Sequence, residues 1–195
     1  MRMLRAVAAL TAVAAAFFLT PASAGAPPTP PAPVSGSYSA KDLVDAGSRF
    51  FGSVSQGLAA VVERAVSQFG LPNGYILGDE GSFALIAGAR FGEGTLYTRN
   101  AGQHHLYWQG PSIGADIGGT GDRVMMLVYN LPAVPAIYDR FPGVQGTAHV
   151  VAGFGMTVVA RDSVTIVPII SGVGARLGVN VGYLKFTDHQ TFNPL

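Results

Sequence analysis

A Gly-x-Ser-x-Gly pentapeptide is the feature of this chain most typical of an enzyme. Residues 110–114 read GPSIG, and Asp139 and His149 follow Ser112 in the chain order of the α/β-hydrolase triad. In that motif the serine sits on a sharp turn between a strand and a helix, which exposes its hydroxyl group. Here Ser112 instead begins a stretch of alternating apolar residues, and no helical pattern follows it. The sequence therefore argues against a serine esterase.

The histidines are not spaced as metal ligands. His104 and His105 are adjacent, so their side chains point to opposite faces of a strand, and His149 and His189 stand alone in the sequence. The chain has no cysteine, which excludes disulfides and thiolate-bound metals. We expect neither a metal nor another cofactor.

The candidate ligand-binding residues are two charged and three aromatic side chains. Asp116 and Arg176 fall on the glycine-rich faces of two predicted strands, where they would pair with each other or contact a ligand head group, because buried charges need partners. Tyr107, Trp108 and Tyr129 are candidates for the mouth of a barrel, where a small apolar ligand would enter. The ordinary structural roles are an ion pair for the first two residues and core or rim packing for the aromatic ones.

Composition and the N-terminus indicate an exported globular protein. The chain is 49% hydrophobic and 12% charged, which excludes a disordered protein. Its formal net charge of +1 gives no indication that the protein binds nucleic acid. Arg2 and Arg5 precede an apolar stretch and a small-residue site that ends at Ala24, the pattern of a secretory signal peptide. We predict cleavage after Ala24, a periplasmic location, a proline-rich linker over residues 25–38 and a single domain over residues 39–195.

A long amphipathic helix is predicted to begin this domain. Ser39 and Asp42 form a capping-box start, and apolar residues then recur on one face until Pro72. Gly52 weakens the helix by about 1 kcal/mol relative to alanine, so a break near this residue is the alternative to one continuous rod.

After the helix the apolar pattern changes to a period of two, which is typical of strands. In residues 110–118 and 172–183 glycine recurs on one face, which indicates tight curvature or the close approach of another backbone. Residues 124–129 and 164–170 do not alternate, and they are predicted to be buried on both faces, one toward the interior and one beneath the helix. A short helix is predicted within residues 133–140. The predicted fold class is α+β, mainly β: a small antiparallel β-barrel with one long amphipathic N-terminal helix packed on it and a short helix in a connection.

Turn signals separate the predicted strands. They are Asp79-Glu80-Gly81, Gly92-Glu93-Gly94, Asn100-Ala101-Gly102, Gly119-Thr120-Gly121-Asp122 and Arg161-Asp162-Ser163. Pro168 cannot donate a backbone hydrogen bond, so it predicts an edge position or a bulge for its strand.

A series of segments, in order along the chain, resembles a known family of exported bacterial proteins. They read SRFFGSVS at residues 48–55, GLPNGYILG at 70–78, GEGTLY at 92–97, WQGPSIG at 108–114, LVYNLP at 127–132 and VGYLKF at 181–186. Together they are similar to the envelope integrity protein A (EipA) family over nearly the whole mature chain. The resemblance implies a periplasmic small β-barrel that helps to maintain the cell envelope and has no established catalytic activity. Residues 110–129 are more distantly similar to the SYLF lipid-binding domain, from which no site residue is carried over.

The sequence and the resemblance together predict a non-enzymatic exported protein that supports envelope integrity by binding lipid or another envelope component. One alternative is an envelope hydrolase acting on peptidoglycan or an ester, with Ser112 or Asp116 as the catalytic candidate. The other alternative is an outer-membrane barrel, although membrane strands need about 9–11 residues and several predicted strands are shorter. The sequence leaves the ligand, the protein partners and the oligomeric state open.

Overall fold

The computed structural model describes residues 30–52, 56–84, 87–113, 122–171 and 182–192. Within these ranges, two α-helices precede ten β-strands, and a 3₁₀-helix lies in a connection. The helices are α1 (Ala40–Phe51), α2 (Gln56–Phe69) and the 3₁₀-helix Val134–Ile137. The strands are β1 (Gly74–Ala84), β2 (Ala87–Thr98), β3 (Gly102–Ile113), β4 (Asp122–Tyr129), β5 (Arg140–Pro142), β6 (His149–Val151), β7 (Phe154–Met156), β8 (Val159–Arg161), β9 (Val164–Ser171) and β10 (Tyr183–Thr187).

The predicted N-terminal helix is present as two helices. Ser39 caps α1 reciprocally, because its Oγ accepts a hydrogen bond from the Asp42 amide at 3.2 Å and its own amide donates to Asp42 Oδ2 at 3.0 Å. α1 ends at Gly52, whose φ of 88° is the left-handed conformation that favours glycine. The amphipathic pattern continues in α2, so Leu43 of α1 and Leu58 of α2 enter the same apolar cluster. None of the described helices combines the length and the hydropathy needed to span a membrane.

The strands form one antiparallel sheet that curls on itself. Its order is β5-β10-β3-β2-β1-β4-β9-β7-β6, and β8 pairs with β9 beside β7. The curl brings β5 to β8: Gly143 forms an antiparallel bridge with Val159, and the Val144 amide donates to the Val158 carbonyl at 2.9 Å. The predicted mainly β, barrel-like class is therefore confirmed. Of the glycine-rich stretches that suggested it, residues 114–121 and 172–181 lie outside the described residues.

Strands β4 and β9 separate two apolar clusters, as predicted for strands buried on both faces. The inner cluster includes Ile76, Leu96, Leu106, Trp108, Val124, Met126, Val128, Phe141, Ile166, Leu184 and Phe186. The outer cluster includes Leu43, Leu58, Val61, Val62, Ala65, Met125, Leu127, Tyr129, Val167 and Ile169. The two helices therefore cover β4 and β9 from outside. Each fully buried aliphatic side chain of these clusters contributes about 1.5–3 kcal/mol.

Two of the predicted turns lie inside strands instead. Residues 99–101 and 162–163 do form turns, whereas 119–121 are outside the described ranges. The turns predicted at residues 79–81 and 92–94 are wrong, because β1 and β2 pair through this region with Glu80 opposite Gly92. Gly92 makes room for the Trp108 ring, a Cβ atom on Gly94 would meet the backbone of β1, and one on Gly81 would have no neighbour within 4 Å.

Pro168 lies in a central strand and not at an edge. β9 pairs with β4 on one side and with β7 and β8 on the other. Pro168 faces the junction between β7 and β8, where the Thr157 amide donates to its carbonyl at 3.1 Å. The ladder is interrupted at this junction, which accommodates a residue without an N–H group. The predicted short helix over 133–140 is present as the 3₁₀-helix Val134–Ile137.

The end of the segment predicted as a linker is fixed to the domain. Pro33 forms an antiparallel bridge with Ala133. The Asn100 side chain accepts a hydrogen bond from the Ser35 amide at 2.8 Å and donates one to the Pro33 carbonyl at 2.7 Å. The compact unit begins at Pro31, earlier than the predicted boundary at residue 39.

Candidate functional site

The hydrolase-like motif is not arranged as a nucleophile elbow. Ser112 is paired with Gly88 within the ladder of β2 and β3, whereas the elbow requires a sharp turn at the serine itself. Asp139 Oδ1 accepts a hydrogen bond from the Arg161 guanidinium, and His149 pairs with Met156 between β6 and β7. The contacts of Asp139 and His149 therefore do not form the acid–base pair of a catalytic triad.

The aromatic candidates lie in separate places. Tyr107 is half-buried on β3, and its ring centroid is 4.9 Å from that of His105. Trp108 points into the barrel and is 1% exposed. Tyr129 is buried on the helix-covered face of β4, where its ring centroid is 5.7 Å from that of Phe69. The structure does not gather these three residues into one ligand site.

The charged candidates, Asp116 and Arg176, lie outside the described residues. In the part of the chain that the structure describes, no group of three or more histidines and carboxylates is placed to hold a metal ion.

The barrel interior contains a polar cluster that the sequence reasoning missed. Trp108 Nε1 donates a hydrogen bond to Glu80 Oε2 at 2.7 Å, and Arg90 Nη1 lies 3.8 Å from Glu80 Oε1. The Glu80 and Arg90 side chains are 10% and 7% exposed, so each charge depends on the other for compensation. The sequence signal for this pair is weak, because Asp79-Glu80-Gly81 also matches a turn and the sequence predicts a turn there.

Glycines on β1 and β2 make room for the Trp108 ring. A Cβ atom on Gly92 would lie 2.5 Å from Trp108 Nε1, and one on Gly78 would lie 2.7 Å from Trp108 Cη2. The ring also adjoins Phe186, which in turn contacts Phe141, with centroid separations of 6.3 and 5.8 Å. All three aromatic rings are buried, so side chains fill the described part of the interior.

An open cleft lies at the surface where β5, β8 and β10 come together. Its volume is about 600 Å³. The lining residues are Tyr138, Asp139, Arg140, Arg161, Lys185, Phe186, Thr187 and Asp188. Its charged groups have both signs, which suits a polar ligand better than an apolar one.

Two cations of the cleft lie directly opposite each other. Arg140 and Lys185 are register partners between β5 and β10, an arrangement that is destabilising for like charges. The Arg140 guanidinium lies over the Tyr183 ring, 4.4 Å from its centroid, which orients this cation. Among the described residues, no carboxylate forms an ion pair with Arg140.

The carboxylates of the cleft are held by other partners. Asp139 Oδ1 accepts hydrogen bonds from the Arg161 guanidinium and from the Arg140 backbone amide, the latter at 2.7 Å. Asp188 Oδ1 lies 2.6 Å from His189 Nδ1, and this hydrogen bond lowers the pKa of Asp188 from its ordinary value. Both carboxylates therefore keep hydrogen-bonded positions at the cleft.

The sequence carries little signal for this cleft. Its residues come from three distant segments, which the pairing of β5 with β10 and the approach of β5 to β8 bring together. The sequence features that belong to the cleft are the charged pairs Asp139-Arg140 and Arg161-Asp162. Taken alone, each pair indicates an ordinary exposed turn.

Comparisons with known proteins agree with the architecture. No curated protein matches this chain. The crystal structure of a beta-barrel-like, uncharacterized protein from Brucella abortus is 57% identical, with a TM-score of 0.75, and the match covers 82% of this chain and 99% of that one. A family model described as Envelope integrity protein A matches residues 36–195. The match takes in both helices and every described strand, and the chain belongs to the envelope integrity protein A family.

Proposed function

We propose that this protein is an exported, non-enzymatic module of the periplasm that supports envelope integrity by binding an envelope component at the cleft between β5, β8 and β10. The family name supports a role in envelope integrity. The signal-peptide pattern over residues 1–24 supports export. The observation that carries the binding role is the open, charged cleft of about 600 Å³, a size typical of ligand sites.

A polar envelope component fits this cleft better than an acyl chain. An acyl chain needs apolar volume, and the described interior of the barrel is occupied by Trp108, Phe141 and Phe186. The cleft outside the barrel is lined by Arg140, Lys185 and other charged groups. Of the predicted ligands, lipid or another envelope component, the geometry favours one recognised through a polar group.

The triad candidates Ser112, Asp139 and His149 are not arranged as a triad in the described residues, which supports a non-enzymatic role. Asp139 is engaged by Arg161, and Ser112 is part of a regular ladder. The protein would then act by holding its ligand, and its effect on the envelope would not depend on turnover.

Complementation of a deletion strain of the source bacterium tests this function. The strain is expected to be sensitive to detergent and to osmotic shock. The intact gene and the Ser112→Ala gene are expected to restore resistance, whereas a gene lacking residues 2–24 is not, because its product stays inside the cell. The mature protein is expected to begin at Gly25. A Ser112→Ala protein that accumulates in the periplasm but does not restore resistance would contradict the non-enzymatic role, and a deletion strain with normal resistance would contradict the envelope role.

A further inference from the structure

The cleft between β5, β8 and β10 contains side chains of opposite charge that do not pair with each other. Arg140 lines the cleft together with Asp139 and Asp188. In the part of the chain that the structure describes, Arg140 forms no ion pair with a carboxylate. A ligand with a single charge would be attracted by one of these groups and repelled by another. A ligand that carries both charges would be complementary to the cleft.

Arg140 provides a cationic contact. Its guanidinium lies over the Tyr183 ring, 4.4 Å from the centroid, and this stacking orients the cation. The ring covers one face of the guanidinium plane, so the N–H groups at the edge of the plane are the donors for a ligand. These N–H groups form a planar fork that matches the two oxygens of a carboxylate.

Asp139 and Asp188 lie close together in the cleft. The Phe186 amide donates to the Asp139 carbonyl at 2.9 Å, which brings the end of β10 beside Asp139. Burial, and after it the charge of Asp188, raises the pKa of the Tyr138 hydroxyl, so Asp188 lies near the residue that precedes Asp139. The hydrogen bond with His189 lowers the pKa of Asp188, and this carboxylate is charged at neutral pH.

These two carboxylates provide an anionic contact. Asp139 Oδ1 accepts hydrogen bonds from the Arg161 guanidinium and the Arg140 amide, and no described group donates one to Oδ2. The Asp139 and Asp188 side chains are 43% and 69% exposed, so a ligand can reach both. An ammonium group has three N–H donors and no acceptor, and it can therefore donate to both carboxylates at once.

We infer that the cleft binds a zwitterionic amino-acid group, meaning one carbon atom that carries both an ammonium and a carboxylate. The carboxylate contacts Arg140, and the ammonium lies between Asp139 and Asp188. Two envelope components present this group, namely a free amino acid and the peptide of the cell-wall polymer, at the free end of a diamino acid. This assignment rests on the proposed function and names the ligand class of the same cleft.

Calorimetry with the mature protein, purified from the periplasm, tests the ligand class. The first probe is Nε-acetyl-lysine, whose only charges are those of the zwitterionic group. Its Nα-acetylated form keeps the carboxylate alone, and its carboxamide keeps the ammonium alone. At neutral pH and constant ionic strength, we expect each altered probe to bind about tenfold more weakly or worse, because each loses one set of charged hydrogen bonds.

Variants of the cleft connect each charge of the ligand to a side chain. Arg140→Gln is expected to bind Nε-acetyl-lysine about tenfold more weakly than the wild type, and no better than it binds the carboxamide. Asp188→Asn is expected to bind Nε-acetyl-lysine about threefold more weakly or worse, the smaller loss because Asp139 remains. Arg64→Gln and Glu63→Gln are the matched controls, since both residues are exposed on α2 outside the cleft lining, and both should bind as the wild type does. Circular dichroism would establish that each variant is folded.

Two further probes distinguish the sources of the ligand. The N-acetylated tripeptide of alanine, glutamate and diaminopimelate represents the cell-wall peptide, and alanine represents the free amino acids. Tighter binding of the tripeptide would assign the cell-wall polymer, whereas equal or weaker binding would assign a free amino acid. Both results support the zwitterionic ligand class.

The remaining outcomes overturn the inference. If the Nα-acetylated form binds as tightly as Nε-acetyl-lysine, the cleft is a simple anion site, and the same result with the carboxamide would show a simple cation site. No binding by any probe would remove the ligand class, and wild-type affinity of Arg140→Gln would remove the cleft. The proposed function fails separately, because its test is the resistance of the deletion strain and does not depend on these probes.

Discussion

Trp108 donates its indole N–H to Glu80 at a distance of 2.7 Å, inside the barrel and beside Arg90. This contact joins the aromatic core to the buried ion pair. Gly78 and Gly92 leave the space that the indole ring occupies. The position of Trp108 therefore depends both on the polar cluster and on the glycines of β1 and β2. The described interior is therefore a packed core, and the open cleft lies elsewhere.

Replacement of Trp108 by phenylalanine removes the donor to Glu80 and part of the ring volume. We expect the free energy of unfolding to fall by about 2–4 kcal/mol, because a buried carboxylate loses a hydrogen bond and a cavity forms. Urea denaturation followed by far-ultraviolet circular dichroism measures this change, since Trp108 is the sole tryptophan and the variant has no indole fluorescence. Tyr107→Phe on the same strand is the control, with an expected change of about 0.5 kcal/mol or less. Equal stability of Trp108→Phe and the wild type would contradict the role of this contact.

The ion pair between Glu80 and Arg90 should behave as one unit. Glu80→Gln and Arg90→Met are each expected to cost about 3–5 kcal/mol, because each leaves one buried charge without its partner. The double variant is expected to cost less than the sum of the two single variants, since neither charge then remains. Urea denaturation of the three variants and the wild type completes the cycle. Strictly additive costs would show that the two side chains are not coupled.

Gly92 and Gly81 offer a matched test of the space around Trp108. Gly92→Ala places a methyl group 2.5 Å from Trp108 Nε1, whereas a Cβ atom on Gly81 has no neighbour within 4 Å. We expect Gly92→Ala to cost about 2–3 kcal/mol or more by overpacking, and Gly81→Ala to change stability by about 0.5 kcal/mol or less. Thermal unfolding compares the two variants directly. Similar melting temperatures for both would argue against the close packing of the ring.

Tyr129 should make the protein less stable in alkaline solution. Burial raises the pKa of the Tyr129 hydroxyl above the ordinary 10.0, and that hydroxyl is buried without a hydrogen-bond partner in the described structure. A raised pKa means that the folded protein holds the proton more tightly than the unfolded protein does. The stability that results is complete below pH 10.0 and is lost as the pH rises above it. Tyr129→Phe is expected to be as stable as the wild type or more stable at neutral pH, and to lose less stability above pH 10.0. Urea denaturation at pH 7 and pH 11 measures both effects, and parallel losses in the two proteins would contradict the assignment.

Local patterns allowed the helices and the buried strands to be predicted. The capping box at Ser39 and the conformational freedom of Gly52 act within a few residues, so the start and the break of the helix are visible in the sequence. The uninterrupted apolar run of β4 required two covered faces, and both are present.

Long-range pairing decided the features that the sequence reasoning missed. The motif at residues 79–81 predicts a turn because charged and glycine residues favour turns, but its register opposite β2 places Glu80 near Arg90 in the interior. The cleft depends on the register of Arg140 with Lys185, which lie in distant segments, and no local pattern reports such a pairing.

The proposed function depends on ligand binding at the outer cleft, and one complementation measurement tests this dependence most directly. In the deletion strain, genes carrying Arg140→Glu and Arg64→Glu would be compared for detergent resistance, with the periplasmic amount of each protein measured by immunoblotting. Both variants reverse one exposed charge, but only Arg140 lines the cleft. We predict that Arg64→Glu restores resistance and that Arg140→Glu does not, although both proteins accumulate equally. Full resistance with Arg140→Glu would show that the protein does not act through this cleft.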